Sequence, residues 1–504
     1  MDSRMRRRHF LGSAAALGLG SSLSSSIQAM TPVHATEMAI TPEIVNLRPE
    51  IEPTVRWIEE TPRDRILDVA VERLHQGLSY RDLLAGLFLA GIRNVKPRPV
   101  GFKFHAVLVI HSAHILGQTA AVEDRLLPLF WALDNFKNSQ AQDIKEGDWT
   151  LGRVDEAKVP SSTKAKPAFV DAMDAWDVDA ADVAVAGLCR SAGAAEVMEP
   201  FWRYAVRDQR DIGHKAIFAA QSWRTLQAIG WQHAEPVLRS LAFGLLDGQQ
   251  DAKSKPEPVG PYESNLKLAA KIRDHWQSGK LDTGATESLL ATLRSASSEE
   301  ASQAVFNALN EGVAPESLWD AVVLAGGELL LRSPGILAIH AVTAVNALHY
   351  IFGASGDNTT RKLALLQAAG WFPLYRDRAK PESTLKLDTL EAATFEAKGE
   401  DRLTEVFAAI AKSRPEAAAK ALGYLKEGGS PSAIFAMARK LIFQKGRDSH
   451  DYKYAAAAWE EFTLSADPRW QPNLAAAMMG NLPSTGQADS PLMQRARAAM
   501  ASRS

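Results

Sequence analysis

The chain holds a single cysteine, Cys189, in 504 residues, so it closes no internal disulfide and builds no thiolate metal cage of its own. Cys189 follows the apolar run from Val183 to Leu188 and reads as a small core residue, not a nucleophile. Net charge is also scarce: 57 Lys and Arg against 59 Asp and Glu leave a formal −2, which argues against nucleic acid as the main partner. There is no Gly-x-Gly-x-x-Gly fingerprint for a nicotinamide or flavin nucleotide, and no run of alternating Val, Ile and Thr that would build a sheet. Past the first segment no second apolar span of the roughly 20 residues that a membrane helix needs stands out. The mature protein is therefore expected to be soluble, not integral to a membrane.

What is present begins with an address. Arg6, Arg7 and Arg8 are followed by His9, Phe10 and Leu11 and then by a mildly apolar run from Gly12 to Leu23, rich in Ala, Gly and Ser. A basic head, a short apolar middle and a small-residue end make residues 1–35 a signal peptide of the twin-arginine type, cleaved after Ala29 or Ala35. The expected destination is the periplasm or the exterior. That route carries proteins already folded, and a metal or cofactor bound before export is one reason to use it; fast folding alone is another. The sequence names no cofactor.

With 46% hydrophobic residues the chain can bury a large core. Arg65 to Leu74, Arg81 to Ala90, Ala216 to Ile229, Ala301 to Leu309 and Thr404 to Leu422 place apolar residues three and four apart and predict helices. The stretch Asp134 to Trp149, with Asn135, Lys137, Gln140, Asp143 and Asp148, reads as a solvated face. Gly, Pro, Lys and Ser gather at Gly152 to Pro167, Asp247 to Pro261, Gly353 to Thr360, Arg376 to Asp388 and Glu427 to Ser432. These breaks set off helical blocks at 36–152, 153–262, 263–375 and 376–504.

The blocks are related. Sliding the chain by 235 positions lays Leu89-Ala90-Gly91 on Leu324-Ala325-Gly326, Pro99 on Pro334, and HAVLVIHSAH (105–114) on HAVTAVNALH (340–349), with His111 facing Asn346. A weaker third copy begins at His214 and ends in Leu226-Gln227-Ala228-Ile229-Gly230-Trp231, a phrase that returns as Leu366-Gln367-Ala368-Ala369-Gly370-Trp371. The expectation is an all-α fold, an internally duplicated helical repeat array or a pseudo-symmetric helical bundle in which neighbouring copies cover one another's apolar faces.

The duplication makes its histidines candidates for a site. His105 and His114, nine positions apart, project from opposite sides of a helix about 13 Å apart along its axis, so one ion cannot join them. A shared site has to join His105 with His340 or His214 across the pseudo-symmetric interface. His111 and His114 could form a local pair, although the second copy replaces the former by Asn346. Structural packing, a catalytic or substrate-binding cluster, and a metal site all stand open as roles. Asp211, three before His214, and Glu235, two after His233, are carboxylates within reach along the chain, and neither makes a His-Glu-x-x-His spacing. Near the end, Asp448-Ser449-His450-Asp451-Tyr452-Lys453 concentrates an imidazole, carboxylates, a phenol and an amine, fit for acid–base work or for capping a helix.

The phrase from Ile336 to Leu348, with His340-Ala341-Val342-Thr343, resembles the His-x-Val-Thr helix of the questin oxidase-like family, and His450-Asp451-Tyr452-Lys453 resembles its late His-x-x-Lys segment. Together the two motifs cover about a tenth of the chain. The resemblance implies a helical, histidine-rich oxidoreductase acting on a small, aromatic type of substrate, without fixing which one. On that reading His105, His214, His340, His450 and Lys453 are the catalytic set, and His114, His349, Trp131, Trp223 and Trp231 bind a planar substrate. A second reading is a non-catalytic helical repeat protein that binds a peptide, glycan or cell-envelope partner, its histidines packing the repeats. Histidines gathered around one void favour the first reading; histidines scattered among separate interfaces favour the second.

Overall fold

The three-and-four spacing does produce helices throughout. The computed structural model describes residues 44–248, 256–399 and 401–501, and among them no strand forms, only isolated bridges such as that between Lys280 and Val313. The signal-peptide reading of residues 1–35 lies outside the described residues. Residues 47–504 make one compact unit. The stretch predicted as one helix from Thr404 to Leu422 is broken: one helix ends at Ala409 and the next starts at Arg414. Pro415 sits in its first turn and the Ser413 hydroxyl accepts from the Glu416 N–H, so the break is a capped helix start.

The two copies share their construction. In the first, α1 (Glu52–Glu60) packs on α2 (Tyr80–Asn94), the chain passes through α3 (His105–Leu108) and α4 (Ile110–Gln118), and α5 (Leu127–Lys145) closes the unit. Next along the chain comes α6 (His214–Ile229). In the second copy α7 (Thr283–Leu293) packs on α8 (Pro315–Arg332), which is followed by α9 (Ile336–Ala354) and α10 (Asn358–Ala379).

Two details hold at the same 235-residue offset. A Cβ on Gly91 would lie 2.7 Å from Val107 Cγ2, and one on Gly326 would lie 3.4 Å from Val342 Cγ2, so each glycine lets the following helix approach. Arg93 grips Glu59 through Nε and Nη2 at 2.8 and 2.6 Å; at the matching positions Arg294 grips Glu328 at 2.9 and 2.8 Å. The same ion pair is kept with its charges exchanged, because the pairing needs opposite signs and not a particular side.

At the centre stand α4, α6, α9 and α11 (Ser449–Leu464), each touching the next around a closed ring, α4 to α6 to α9 to α11 and back. They run parallel. Gln221, seven positions past His214, reaches Ser112, seven positions past His105, at 3.5 Å, and Asn346 on α9 donates to Glu460 and Glu461 at a similar depth of α11 at 2.7 and 2.8 Å. Their N-terminal ends therefore meet at one end of the bundle. Helix α9 is long and apolar enough to cross a membrane, which the expectation of no further apolar span overlooked, but 72% of its apolar window is buried within the protein. Its composition is that of a central core helix.

The stretch Asp134 to Trp149, expected to be a solvated face, divides: its first half turns polar side chains inward, while residues 144–148 are exposed as expected. Asp134, Lys137, Ser139 and Asp143 are buried. Asp134 holds Arg63 and Arg495, Lys137 donates to the carbonyls of Ile58 and Glu59, and Asp143 accepts from Lys103 and from the N–H groups of Lys96 and Trp149. Polarity here serves internal pairing, which composition alone does not distinguish from solvation.

Candidate active site

Four histidines meet where the central helices begin. His105 opens α3, His214 opens α6, His340 lies one turn into α9 and His450 is the second residue of α11. Their ring centroids form a closed circuit: 4.8 Å from His105 to His214, 4.3 Å on to His340, 5.0 Å to His450 and 4.6 Å back to His105, with 6.1 Å across from His105 to His340. His214 Nε2 lies 3.1 Å from His105 Nε2 and 2.8 Å from His340 Nε2. Donor atoms of His105, His340 and His450 all fall within 4.8 Å of one another.

The other nitrogen of each ring is committed. Nδ1 of His105 faces the Phe102 carbonyl at 2.7 Å, that of His214 the Asp211 carbonyl at 2.5 Å, and that of His340 the Ile336 carbonyl at 2.7 Å; that of His450 faces an Asp448 carboxylate oxygen. A carbonyl only accepts, so these three Nδ1 atoms carry the proton, and in the neutral ring each Nε2 is a bare lone pair.

The backbone is bent to provide those carbonyls. Phe102, Asp211 and Ile212 all have positive φ, at 47°, 57° and 54°. Gly101, at φ 126°, leaves no room for a side chain: a Cβ there would come within 2.9 Å of His214 Cε1. Non-glycine residues in this region cost about 1–3 kcal/mol each and gather at functional sites.

Electrostatics sharpen the picture. Burial, followed by the charges of Lys453 and His450, holds His105 and His340 well below the ordinary imidazole range; burial, His340 and Lys453 do the same to His214. Lys453 is buried, its Nζ has no hydrogen-bond partner, and burial pulls it down to about 7 against the opposing Asp448 charge. Burial raises Asp448, but the hydrogen bonds and charge of His450 override it and hold the carboxyl at about 2. Asp448 also caps α11 through a capping box with Asp451, so the cap and the site are one structure.

The histidines open on a cavity of about 860 Å³, whose lining includes Asn135, Asn138 and Gln142 as well as Arg210, Arg378 and Arg447. Asp211 lines it too, its carboxyl raised to about 6 by burial and by Asp247. Phe102 and Ile336, 74% and 51% exposed, stand at its edge as apolar surface.

The remaining sequence candidates lie elsewhere. His114 meets the Tyr80 hydroxyl at 3.1 Å, and His349 stacks on Trp319 at 4.3 Å while pairing with Glu461 at 2.7 Å. Trp131 packs on Tyr452 at 4.5 Å, and Trp223 lies edge-on to Trp202 and Trp231. None of these five candidates is among the residues that line the cavity. His111 and His114 stand 6.0 Å apart without a shared partner. Asp211 serves His214 through its carbonyl, not its carboxylate, and Glu235 pairs with Arg190 instead of His233. Sequence reasoning missed the orienting carbonyl of Phe102 and the arginines of the cavity lining; the only signal for the former was Gly101 preceding it. Cys189 has its thiol pushed up by burial, as a packing residue would.

No family model, curated protein or solved structure matches this chain.

Proposed function

We propose that the protein is an exported metal-dependent oxidoreductase whose active site is the four-histidine cavity. One observation carries the reading: three imidazoles turn unprotonated Nε2 atoms toward one another at 2.8 and 3.1 Å while their Nδ1 protons are spent on carbonyls. Facing lone pairs repel, and burial with Lys453 alongside opposes protonating the rings. A cation held between them removes the conflict. The Asp448–His450 contact supplies the carboxylate behind a ligand that metal-binding histidines commonly have.

His105, His340 and His450 bring donor atoms within 4.8 Å of one another, and His214 Nε2 lies 3.1 and 2.8 Å from two of these rings, so these side chains would hold the ion. Imidazole sets of this kind suit iron, copper or nickel. The class of reaction is oxidation of a small organic molecule with dioxygen as electron acceptor, in line with the resemblance to the questin oxidase-like family. Lys453, close to neutrality, would take up or return a proton beside the ring cluster. Gathering of the histidines around one void, instead of scattering among interfaces, favours this reading over a binding array.

The test is elemental analysis of the protein purified from the periplasm, followed by oxygen-uptake assays with phenolic and quinone-type compounds. About one equivalent of a redox metal, lost in a folded His214→Ala, His340→Ala protein, supports the reading. A metal-free protein that gains no stability from iron, copper or nickel sinks it.

A further inference from the structure

A second cavity, of about 710 Å³, opens between the helices Ser162–Ala175 and Ala194–Ala205 and the segment 256–264. Arg207 forms part of its wall and is only 4% exposed. The guanidinium is fixed on three sides: its carbon lies 3.9 Å from the Trp176 ring centre and 5.0 Å from that of Tyr204, and Nη1 donates to the Met173 carbonyl at 2.9 Å. Trp176 reaches that position by adopting the left-handed conformation, φ 58°, at the end of its helix. Capping the helix and stacking on two rings account for Nη1 and for the guanidinium faces. They leave Nε and Nη2, both buried, without a partner.

Those two N–H groups form the edge that takes a carboxylate side-on. Elsewhere in this molecule the same edge is filled: Arg63 holds Asp134, Arg93 holds Glu59, Arg239 holds Asp182 and Arg294 holds Glu328, each through Nε and Nη2. The nearest carboxylate along the chain, Asp208, is committed to Lys215, Arg210 and the Val259 N–H. The outer part of the cavity is acidic on balance: Asp174, Glu257, Glu263 and Glu299 are exposed along its lining, and of these only Asp174 faces an exposed cation there, Arg203 at 3.7 Å. A simple anion meets an excess of carboxylates, Glu257, Glu263 and Glu299 beside the Asp174–Arg203 pair, on its way to the buried guanidinium of Arg207. A molecule with a carboxylate at one end and an ammonium at the other meets complementary charge at both depths.

We propose that this cavity binds a free α-amino acid or a related zwitterion, its carboxylate on the Nε/Nη2 edge of Arg207 and its ammonium among the outer carboxylates. Pro256, Pro258 and Tyr262 give the body of such a ligand rigid apolar wall. The site is separate from the histidine cavity: Arg207 faces one chamber, and Gln209, Arg210 and Asp211, next along the chain, line the other.

The test is titration calorimetry on the exported protein with glycine, L-glutamate, L-lysine and L-phenylalanine, beside acetate, inorganic phosphate and the N-acetyl form of each amino acid. At least one free amino acid is expected to bind, with acetate, phosphate and its N-acetyl form roughly tenfold weaker or more. Arg207→Gln should weaken that amino acid by roughly tenfold or more while the metal content stays at the wild-type level. If Arg207→Gln does not fold, the exposed double change Glu257→Gln, Glu263→Gln decides, since it should erase the preference for the free amine over the N-acetyl form. No binding by any of the four amino acids overturns the proposal. So does phosphate binding as tightly as the best amino acid, or an affinity indifferent to both sets of substitutions. A protein that lacks metal but binds the amino acid refutes the active-site reading alone.

Discussion

The two ends of the central bundle use histidine in opposite ways. At the N-terminal end His214 and His340 face each other with no carboxylate between them, and burial drives both well below the ordinary imidazole range. Nine residues further along α9, His349 is equally enclosed, yet Glu461 at 2.7 Å overrides the burial and leaves its pKa raised. The second end is closed electrostatically: Asn346 bridges Glu460 and Glu461, and Arg224 binds Glu460. The first end gathers imidazole acceptors with no such carboxylate, and on the proposed reading a bound cation would supply the opposite charge. Burial and residue type are alike at the two ends, so the difference lies in whether the protein itself supplies the opposite charge.

Removing one histidine from each end should separate them most sharply. His214→Ala takes away the ring common to both short Nε2 contacts, and metal content measured by mass spectrometry is expected to fall from about one equivalent to background, with only a modest change in melting temperature. His349→Ala should keep the metal and cost about 3 kcal/mol in urea unfolding, because Glu461 is left buried without its partner. Metal lost from the His349 variant and kept in the His214 variant would invert the assignment of the two ends. A smaller effect is expected from Asp448→Asn, which keeps the helix cap but weakens the support behind His450: metal affinity should drop about 10- to 100-fold by competition with a chelator. Gly101→Ala forces a Cβ toward His214 at a backbone conformation that suits only glycine, and is expected to cost about 1–3 kcal/mol along with some metal.

The sequence carried a good deal of this and stopped where long-range pairing begins. The helices were legible because apolar spacing is local, and the duplication because Leu-Ala-Gly, proline and the His-Ala-Val phrase recur at one fixed offset. The requirement that His105 look for His340 or His214 followed from helix geometry alone, and the structure places all three together. What a local reading cannot reach is which carboxylate, 110 or more positions away, ends beside which ring. His349 finds Glu461 112 positions along the chain, so nothing local marked it as a paired ring. Trp131, Trp223 and Trp231 were expected to pack a planar substrate, but their rings turn toward Tyr452, Trp202 and each other. The buried side of Asp134 to Asp143 was hidden for the same reason, since Arg63, Arg495 and Lys103 approach from other segments.

The gentlest test of the contrast uses pH on chelator-treated protein. His349 has a raised folded pKa, so its pairing contributes stability below the ordinary imidazole value near 6.5 and loses it as pH rises through the folded value. The cluster rings are lowered: while the unfolded chain takes up protons below about 6.5 they stay neutral in the fold, so acidification destabilises the protein through them. The two replacements should therefore tilt the stability curve in opposite directions. Urea unfolding between about pH 5 and 8 should show His349→Gln losing more at the acid end than at the alkaline end, and His214→Gln losing less at the acid end, by about 1 kcal/mol in each case. Tilts of the same sign would mean that both ends carry histidines satisfied in the same way, and the need for a cation at the first end would go with the contrast.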